Sequence, residues 1–374
     1  MEVLLISLAA LFIAFVNGSN DNIKGVATLY GSGVNNYKRT ILWGTFTTAT
    51  GSLFAIVIAK TLILNFSGKG LVPDQFVNTF AFNTSIAFGA GAAVLIASQI
   101  GMPISTTHSI IGAMIGSGFV AADSALNLTK LFSTFIIPLL FSPIAAVGIA
   151  YILYLFINRT RLALGYEKEA CVCVGEKSYC LTAANNLSSE AILSEVKKID
   201  ITIDTVDSCI VNYSGKFLGL KLQSILTTSH FISSGLVSFA RGLNDTPKLL
   251  GLFIFFNLFD PKLSLLGVTI SMMAGGLLNS RKVAETMSKK ITPLNDGQGF
   301  TANLSTGLLV LASSFWGLPV STTHVSVGSL FGIGMATKKY NVEVIKNILY
   351  SWLLTLPVAV IFGGLTYLLL SNFN

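Results

Sequence analysis

The chain has 374 residues, of which 52% are hydrophobic and only 11% charged, and its formal net charge is +7. Soluble domains average about 25% charged residues, so this composition excludes a disordered chain, a nucleic-acid-binding domain and an ordinary soluble enzyme. A chain this apolar places most of its surface against lipid. We therefore expect an all-α polytopic membrane protein.

Apolar stretches recur along the whole chain, at 2–16, 22–34, 41–64, 80–98, 104–122, 131–157, 223–240, 246–258, 263–280, 300–316, 320–337 and 348–370. Several are long enough to span a bilayer as helices. The stretches at 2–16, 22–34 and 246–258 are short and end on polar, Gly- or Pro-bearing sequence. Short interrupted segments in corresponding positions of two halves predict broken helices around a binding site.

Residues 159–221 interrupt this apolar pattern with eight Lys or Arg and eight Asp or Glu, of 24 basic and 17 acidic residues in all. We predict a first membrane repeat at 1–158, a polar insert at 159–222 and a second repeat at 223–374. An alternating stretch at 199–203 predicts a small αβ element in the insert. The insert also contains all four cysteines (Cys171, Cys173, Cys180 and Cys209), which are interpreted as free thiols rather than a zinc site.

Two different motifs occur twice, in the same order and at nearly the same offset. The pattern N-D-x-x-K is found at 20–24 and at 244–248, and the pattern G-x-P-x-S-T-T-H at 101–108 and at 317–324. Such a double coincidence indicates an internal duplication. Each S-T-T-H motif lies between two apolar stretches, which predicts two helical hairpins.

The placement of Lys and Arg predicts the orientation in the membrane. If both chain termini are outside the cell, the basic residues at 38–39, 159–161, 281–290 and 338–339 all lie on the cytoplasmic side of the membrane. Residues 159–222 are then cytoplasmic, in the plasma membrane. Each half makes an odd number of crossings, so the halves have opposite orientations, which is the inverted repeat of secondary transporters.

Asp21 and Asp245 are acidic residues well inside the apolar blocks, and each precedes a lysine, Lys24 or Lys248, by three positions. Residues at i and i+3 share a helix face, so each pair can form an ion pair. A carboxylate at membrane depth is costly and normally faces a polar cavity. We favour a cation, proton or substrate site over a purely structural pair of ion pairs.

The segments Ser105-Thr106-Thr107 and Ser321-Thr322-Thr323 each follow Gly-x-Pro and precede an apolar run. Proline ends the preceding segment and Ser or Thr caps a new helix. A helix start with free N–H groups and three hydroxyls can hold an anion, especially a tetrahedral oxyanion. Simple capping of a hairpin tip is the alternative. The histidines that follow, His108 and His324, are candidates for either packing or a proton role.

Together, the paired N-D and S-T-T-H motifs resemble those of the inorganic phosphate transporter (PiT) family, which also includes bacterial sulfate permeases. The resemblance covers both membrane blocks. It implies an inverted-repeat, homodimeric symporter for phosphate, coupled to sodium or protons, with no cofactor. It also implies that the two S-T-T segments bind the anion, and that Asn20, Asp21, Asn244 and Asp245 help to form the substrate and coupling-ion sites.

The sequence departs from the family pattern symmetrically. Where the usual signature has a second Asn, this chain has Lys24 in one repeat and Lys248 in the other. A fixed ammonium next to a carboxylate can occupy the space and charge of a bound sodium ion. We therefore hypothesise that sodium coupling is weakened or replaced by proton coupling.

Two alternatives to a phosphate symporter stay open at this point. The same scaffold could carry sulfate or a related oxyanion, since S-T-T-H does not distinguish tetrahedral anions. An anion channel is disfavoured because inverted repeats with a polar site at mid-membrane are typical of alternating access.

Overall fold

A computed structural model describes residues 2–77, 79–122, 126–163, 170–181, 194–205, 217–252 and 260–372. The chain divides into two compact units, Met1–Leu155 with His230–Asn374, and Phe156–Ser229. The first is helical, with irregular connections. The second contains a small antiparallel sheet.

The helices follow in chain order and are numbered accordingly. They are α1 (Glu2–Asp21), α2 (Ala27–Gly31), α3 (Tyr37–Ile58), α4 (Lys60–Asn65), α5 (Asp74–Val77), α6 (Phe80–Ile100), α7 (Thr106–Ala122), α8 (Leu128–Lys130), α9 (Ile137–Ala163), α10 (Leu222–Gly251), α11 (Pro261–Asn279), α12 (Arg281–Glu285), α13 (Asp296–Phe315), α14 (Thr322–Thr337) and α15 (Val342–Ser371). Two π-helical turns, Leu131–Ile136 and Thr286–Lys290, precede α9 and follow α12.

Within the described residues, six helical segments are long and apolar enough to cross a membrane: Glu2–Asp21, Tyr37–Ile58, Phe80–Ile100, Leu128–Ala163, Pro261–Asn279 and Val342–Ser371. Large apolar side chains point outward from them, such as Phe141, Ile144 and Ile152 on α9, each about two-thirds exposed. An apolar outer surface of this extent is typical of contact with lipid. The expected all-α polytopic membrane fold is confirmed.

The inner faces of the helices pack around a large apolar core. Helix α1 contacts α6 and α11, and α15 contacts α6 and α7. The core includes Ile13 of α1, Phe82 and Ile86 of α6, and Ile110 of α7, all fully buried. This core contains residues of the hairpin α6–α7, and two further apolar clusters contain residues of the hairpin α13–α14. The tips of both hairpins carry the repeated motifs.

Both hairpin tips have the same backbone geometry. Gly101 follows α6 with φ 77°, and Gly317 follows α13 with φ 68°. These left-handed conformations favour glycine, because a side chain would clash with the backbone. The next few residues are non-helical, and α7 and α14 then begin at the S-T-T segments. The glycine of the repeated motif is therefore required by the turn.

The two N-D motifs differ in local structure. In the first repeat, α1 ends at Asp21, and turns lead to the short helix α2. In the second repeat, α10 continues without a break through Asn244, Asp245 and Pro247 to Gly251. The predicted break between 240 and 246 is therefore wrong. Proline is tolerated because neighbouring groups at membrane depth satisfy the backbone atoms that it leaves free.

The second unit contains strands β1 (Ala170–Leu181), β2 (Ser194–Thr205) and β3 (Phe217–Lys221) in the order β2-β1-β3. Both neighbouring pairs are antiparallel. The alternating stretch at 199–203 lies within β2, as predicted. Residues 182–193, which precede β2, and Cys209 lie outside the described residues.

Candidate functional site

Five charged side chains are buried together in the helical unit. Asp21, Lys24, Arg241, Asp245 and Lys248 are each at most 3% exposed. Burying an ion costs several kcal/mol unless it is paired and hydrogen-bonded. Both predicted i,i+3 ion pairs are present, Lys24 with Asp21 and Lys248 with Asp245, the latter at 3.2 Å.

The ammonium of Lys24 has four oxygen partners from both repeats. In its own repeat it donates to Asp21 Oδ1, to Asn20 Oδ1 at 2.8 Å and to the carbonyl oxygen of Ile104 at 2.7 Å. Its fourth partner is the hydroxyl of Thr323, in the S-T-T segment of the opposite hairpin. Lys24 therefore joins the N-D motif of one repeat to the S-T-T segment of the other.

Lys248 makes the corresponding contacts in the second repeat. Its ammonium donates to Asp245 Oδ1 at 3.2 Å, to the carbonyl oxygen of Val320 at 2.8 Å and to the hydroxyl of Thr107 at 2.8 Å. Val320 and Thr107 are the counterparts of Ile104 and Thr323 at the motif offset of the sequence. The two lysines thus have matching environments, each contributed by both repeats.

The two asparagines of the N-D motifs form hydrogen bonds with the hairpins. Asn20 donates to Ser98 Oγ and to the carbonyl oxygen of Met102, both at 3.0 Å, and accepts from the Ile104 N–H at 3.1 Å. Asn244 donates to the Val320 carbonyl oxygen at 3.2 Å and accepts from Ser314 at 3.5 Å. Each asparagine fixes the tip of the hairpin in its own repeat.

Arg241 is a member of the cluster that the sequence analysis did not identify. Its Nε lies 3.3 Å from Asp245 Oδ2, and its two Nη atoms donate to Asn17 Oδ1 at 2.6 Å and to Asn22 Oδ1 at 2.9 Å. Asn17 in turn donates to Asp21 Oδ2 at 3.1 Å. Arg241 therefore links the two carboxylates. Its position four residues before Asp245 on the same helix is the signal that could have identified it.

The serines of the S-T-T segments cap helices. Ser105 Oγ accepts from the His108 N–H at 3.1 Å, and Ser321 Oγ accepts from the His324 N–H at 3.2 Å. The capping geometry predicted for these residues is present at the starts of α7 and α14. Because one hydroxyl can both accept and donate, capping leaves its O–H free to donate to a further partner.

The four threonines of the S-T-T segments are also buried, and Thr106, Thr107 and Thr323 contact the charged side chains. Thr106 donates to Asp21 Oδ2 at 3.0 Å, and Thr107 and Thr323 accept from the two lysines. Thr322, at the start of α14, is 4% exposed. Two helix starts and three cationic side chains therefore converge with two carboxylates, which leaves one excess positive charge. Both features favour binding of an anion.

His108 and His324 are in contact at the same place. Their rings lie 4.5 Å apart in an edge-on arrangement, and His324 also packs 3.9 Å from the ring of Trp352. Among the described residues, neither His108 Nδ1 nor His324 Nε2 has a hydrogen-bond partner. The packing role is thus present, and the proton role stays a prediction.

The comparisons with known proteins match this architecture. The sequence pattern described as the phosphate transporter family matches residues 17–363, which includes all the residues of the cluster. The chain belongs to the phosphate transporter family. This family consists of membrane transporters rather than enzymes, so the expectation of a phosphate transporter is confirmed.

Alignments with relatives of this phosphate transporter cover nearly the full chain. A Pyrococcus furiosus protein with the provisional name of phosphate permease is 28% identical over 95% of this chain and 93% of its own. A Chlamydia trachomatis protein of the same provisional name is 26% identical over 96% of each chain. A solved structure entitled "The sodium-dependent phosphate transporter" has a TM-score of 0.76, covers 100% of both chains and is 22% identical. At this identity the structure supports the fold alone.

Replacing Arg241 by Met in this transporter should destabilise it by about 1–3 kcal/mol, because buried oxygens of Asn17, Asn22 and Asp245 lose their partner, although Lys248 still compensates the Asp245 charge. Thermal unfolding in detergent measures the effect. Arg281→Met is the matched control, since Arg281 faces Glu285 at the same i,i+4 spacing and is exposed. Exposed pairs contribute about 0–1 kcal/mol, so equal melting temperatures for the two variants would contradict the assigned role.

Proposed function

We propose that this protein imports inorganic phosphate by alternating access, as a symporter driven by a cation gradient. The observation that carries the proposal is the buried cluster in which each lysine joins the N-D motif of one repeat to the S-T-T segment of the other. Substrate contacts are assigned to Ser105, Thr106, Thr107, Ser321, Thr322, Thr323, Asn20 and Asn244. Asp21, Lys24, Asp245 and Lys248 are assigned to charge balance at the same site.

The closed state of the site favours alternating access over an open channel. All six residues of the two S-T-T segments are at most 4% exposed. A channel needs a continuous polar path across the membrane, whereas a transporter encloses its site between outward and inward openings. Opening on one side requires the two hairpin tips to separate from the opposite repeat, and the lysine bridges to Thr107 and Thr323 cross that junction.

The charge balance of the cluster favours phosphate over sulfate. With all five groups ionised, three cationic side chains face two carboxylates, which leaves one net positive charge to be compensated in a buried site. Phosphate exists partly as a monovalent anion near neutral pH and can complete the balance, whereas sulfate is divalent. Monovalent phosphate also has O–H groups that can donate to Asp21 or Asp245. Sulfate transport on the same scaffold is the alternative.

The wider organisation is also part of the proposal. The Lys and Arg distribution supports an orientation with both termini outside and residues 159–222 in the cytoplasm, and we assign the protein to the plasma membrane. The matching partners of Lys24 and Lys248 support the inverted repeat of 1–158 and 223–374. The family resemblance supports a homodimer. His108 and His324, in contact beside the S-T-T segments, are candidates for a proton role in coupling.

Purified protein in liposomes should take up radiolabelled phosphate, and unlabelled phosphate should compete at least about tenfold better than sulfate, a difference of about 1.4 kcal/mol in binding. Empty liposomes are the control. Equal competition by both anions, or stronger competition by sulfate, would favour the sulfate alternative.

Asp21→Asn and Asp245→Asn should each reduce phosphate uptake by at least about tenfold, since an amide cannot balance the adjacent ammonium, and an uncompensated buried charge is costly. Asp260→Asn is the control, because Asp260 is an exposed N-cap of α11 and Asn also caps helices well. Uptake is measured in liposomes at equal amounts of folded protein. Normal uptake by either variant would contradict the site assignment.

Glycine and alanine substitutions separate the capping role of the serines from anion binding. Replacing an N-cap Ser by Ala costs about 1 kcal/mol, but replacing it by Gly costs only a few tenths. The double variant Ser105→Gly with Ser321→Gly should therefore retain most of its thermal stability and still bind phosphate more weakly, because both hydroxyls are lost. Phosphate affinity at wild-type strength in this variant would show that the serines only cap.

A further inference from the structure

The partners of the two lysine ammonium groups are those of a cation site. Around Lys24 Nζ lie a carboxylate, a side-chain amide, a backbone carbonyl and a hydroxyl oxygen, and around Lys248 Nζ a carboxylate, a carbonyl and a hydroxyl. Hard metal cations bind all-oxygen sets of this composition. An ammonium donates only three hydrogen bonds, yet Lys24 has four oxygens within hydrogen-bonding distance. The surroundings of Lys24 thus resemble an ion-coordination shell.

The lysine side chains leave these oxygens unavailable to a metal ion. Each ammonium already lies in contact with the carboxylate that would compensate a cation, and Arg241 contributes a further positive charge next to Asp245. A sodium ion at either position would be placed beside an ammonium at low dielectric, where repulsion between like charges is strong. The residues present therefore do not fit a bound sodium ion, although the structural neighbour is named a sodium-dependent transporter.

We propose that Lys24 and Lys248 are tethered substitutes for sodium ions, so that this protein binds and transports its anion independently of sodium, with protons as the cation that drives the proposed symport. The inference rests on the proposed function in that the site is taken to be the phosphate site. The positive charge that a coupling ion would bring with each phosphate is built into the chain. Each ammonium also reaches the threonine of the opposite hairpin, so the built-in charge contacts both repeats.

The first experiment uses the wild-type protein. Its melting temperature in detergent should be the same in sodium and in choline chloride, and phosphate should raise it equally in both. Phosphate uptake into liposomes should likewise be unchanged when a sodium gradient is replaced by a choline gradient. A sodium-dependent rise in melting temperature, or a several-fold stimulation of uptake by sodium, would overturn the inference.

The two proposals fail differently in this experiment. Uptake that occurs only with sodium would overturn the inference and leave the proposed phosphate transport intact. An absence of phosphate uptake under every gradient would overturn the proposed function, and the melting temperatures would still report whether sodium binds.

The second experiment restores the cation site. In the double variant Lys24→Asn with Lys248→Asn, the oxygens around both positions are released and the carboxylates lose their tethered partners. Sodium should then raise the melting temperature in a concentration-dependent way and stimulate uptake several-fold. Lys262→Asn is the control, since Lys262 is an exposed residue near the start of α11. A folded double variant that does not respond to sodium would contradict the inference, and if it does not fold, the wild-type comparison decides.

Discussion

The pairing of five buried charges is the constraint on which the rest of the structure depends. In an apolar environment Asp21, Lys24, Arg241, Asp245 and Lys248 can only be ionised if each is compensated by close partners. Those partners come mainly from four segments, the two N-D motifs and the two hairpin tips, and Asn17 of α1 is a further partner of Asp21 and Arg241. Any folded arrangement must therefore bring these four segments together at one point. The close contacts of α1 with α6, and of the hairpin helices with each other, follow from this requirement as much as from the apolar core.

This requirement also explains the form of the hairpin tips. A lysine can donate to the carbonyl of Ile104 or Val320 only if that carbonyl is free of helical hydrogen bonding. The glycines with positive φ end the preceding helices, and the serines start the next ones, so that the intervening residues have unused carbonyl groups. The G-x-P-x-S-T-T-H motif is thus a device for exposing backbone groups within the membrane, and the N-D-x-x-K motif supplies the charges that satisfy them.

The sequence was sufficient to predict the all-helical membrane architecture, the duplicated motifs and the ion pairs between residues three positions apart. All of these depend on local pattern or on offsets along the chain. The bridge from each lysine to the threonine of the opposite hairpin could not be predicted, because it depends on how the repeats pack.

The involvement of Arg241 was missed for a different reason. It has Asn17 as its counterpart in the first repeat, so a search for duplicated features does not find it. The continuity of α10 through Pro247 could not be predicted either. Proline locally disfavours the interior of a helix, and tertiary contacts outweigh that preference here.

Arg241 makes the site asymmetric in charge although its geometry is close to symmetric. Two lysines and two aspartates alone would form a neutral cluster, and a neutral buried cluster provides no net attraction for an anion. The extra guanidinium, held by Asp245 on one side and by Asn17 and Asn22 on the other, adds one positive charge without breaking either ion pair. The loaded site is then neutral with a monovalent anion and negative with a divalent one. Since the penalty for burying net charge falls as the site approaches neutrality, we propose that the asymmetric residue rather than the duplicated ones sets the charge of the anion that the site best accommodates.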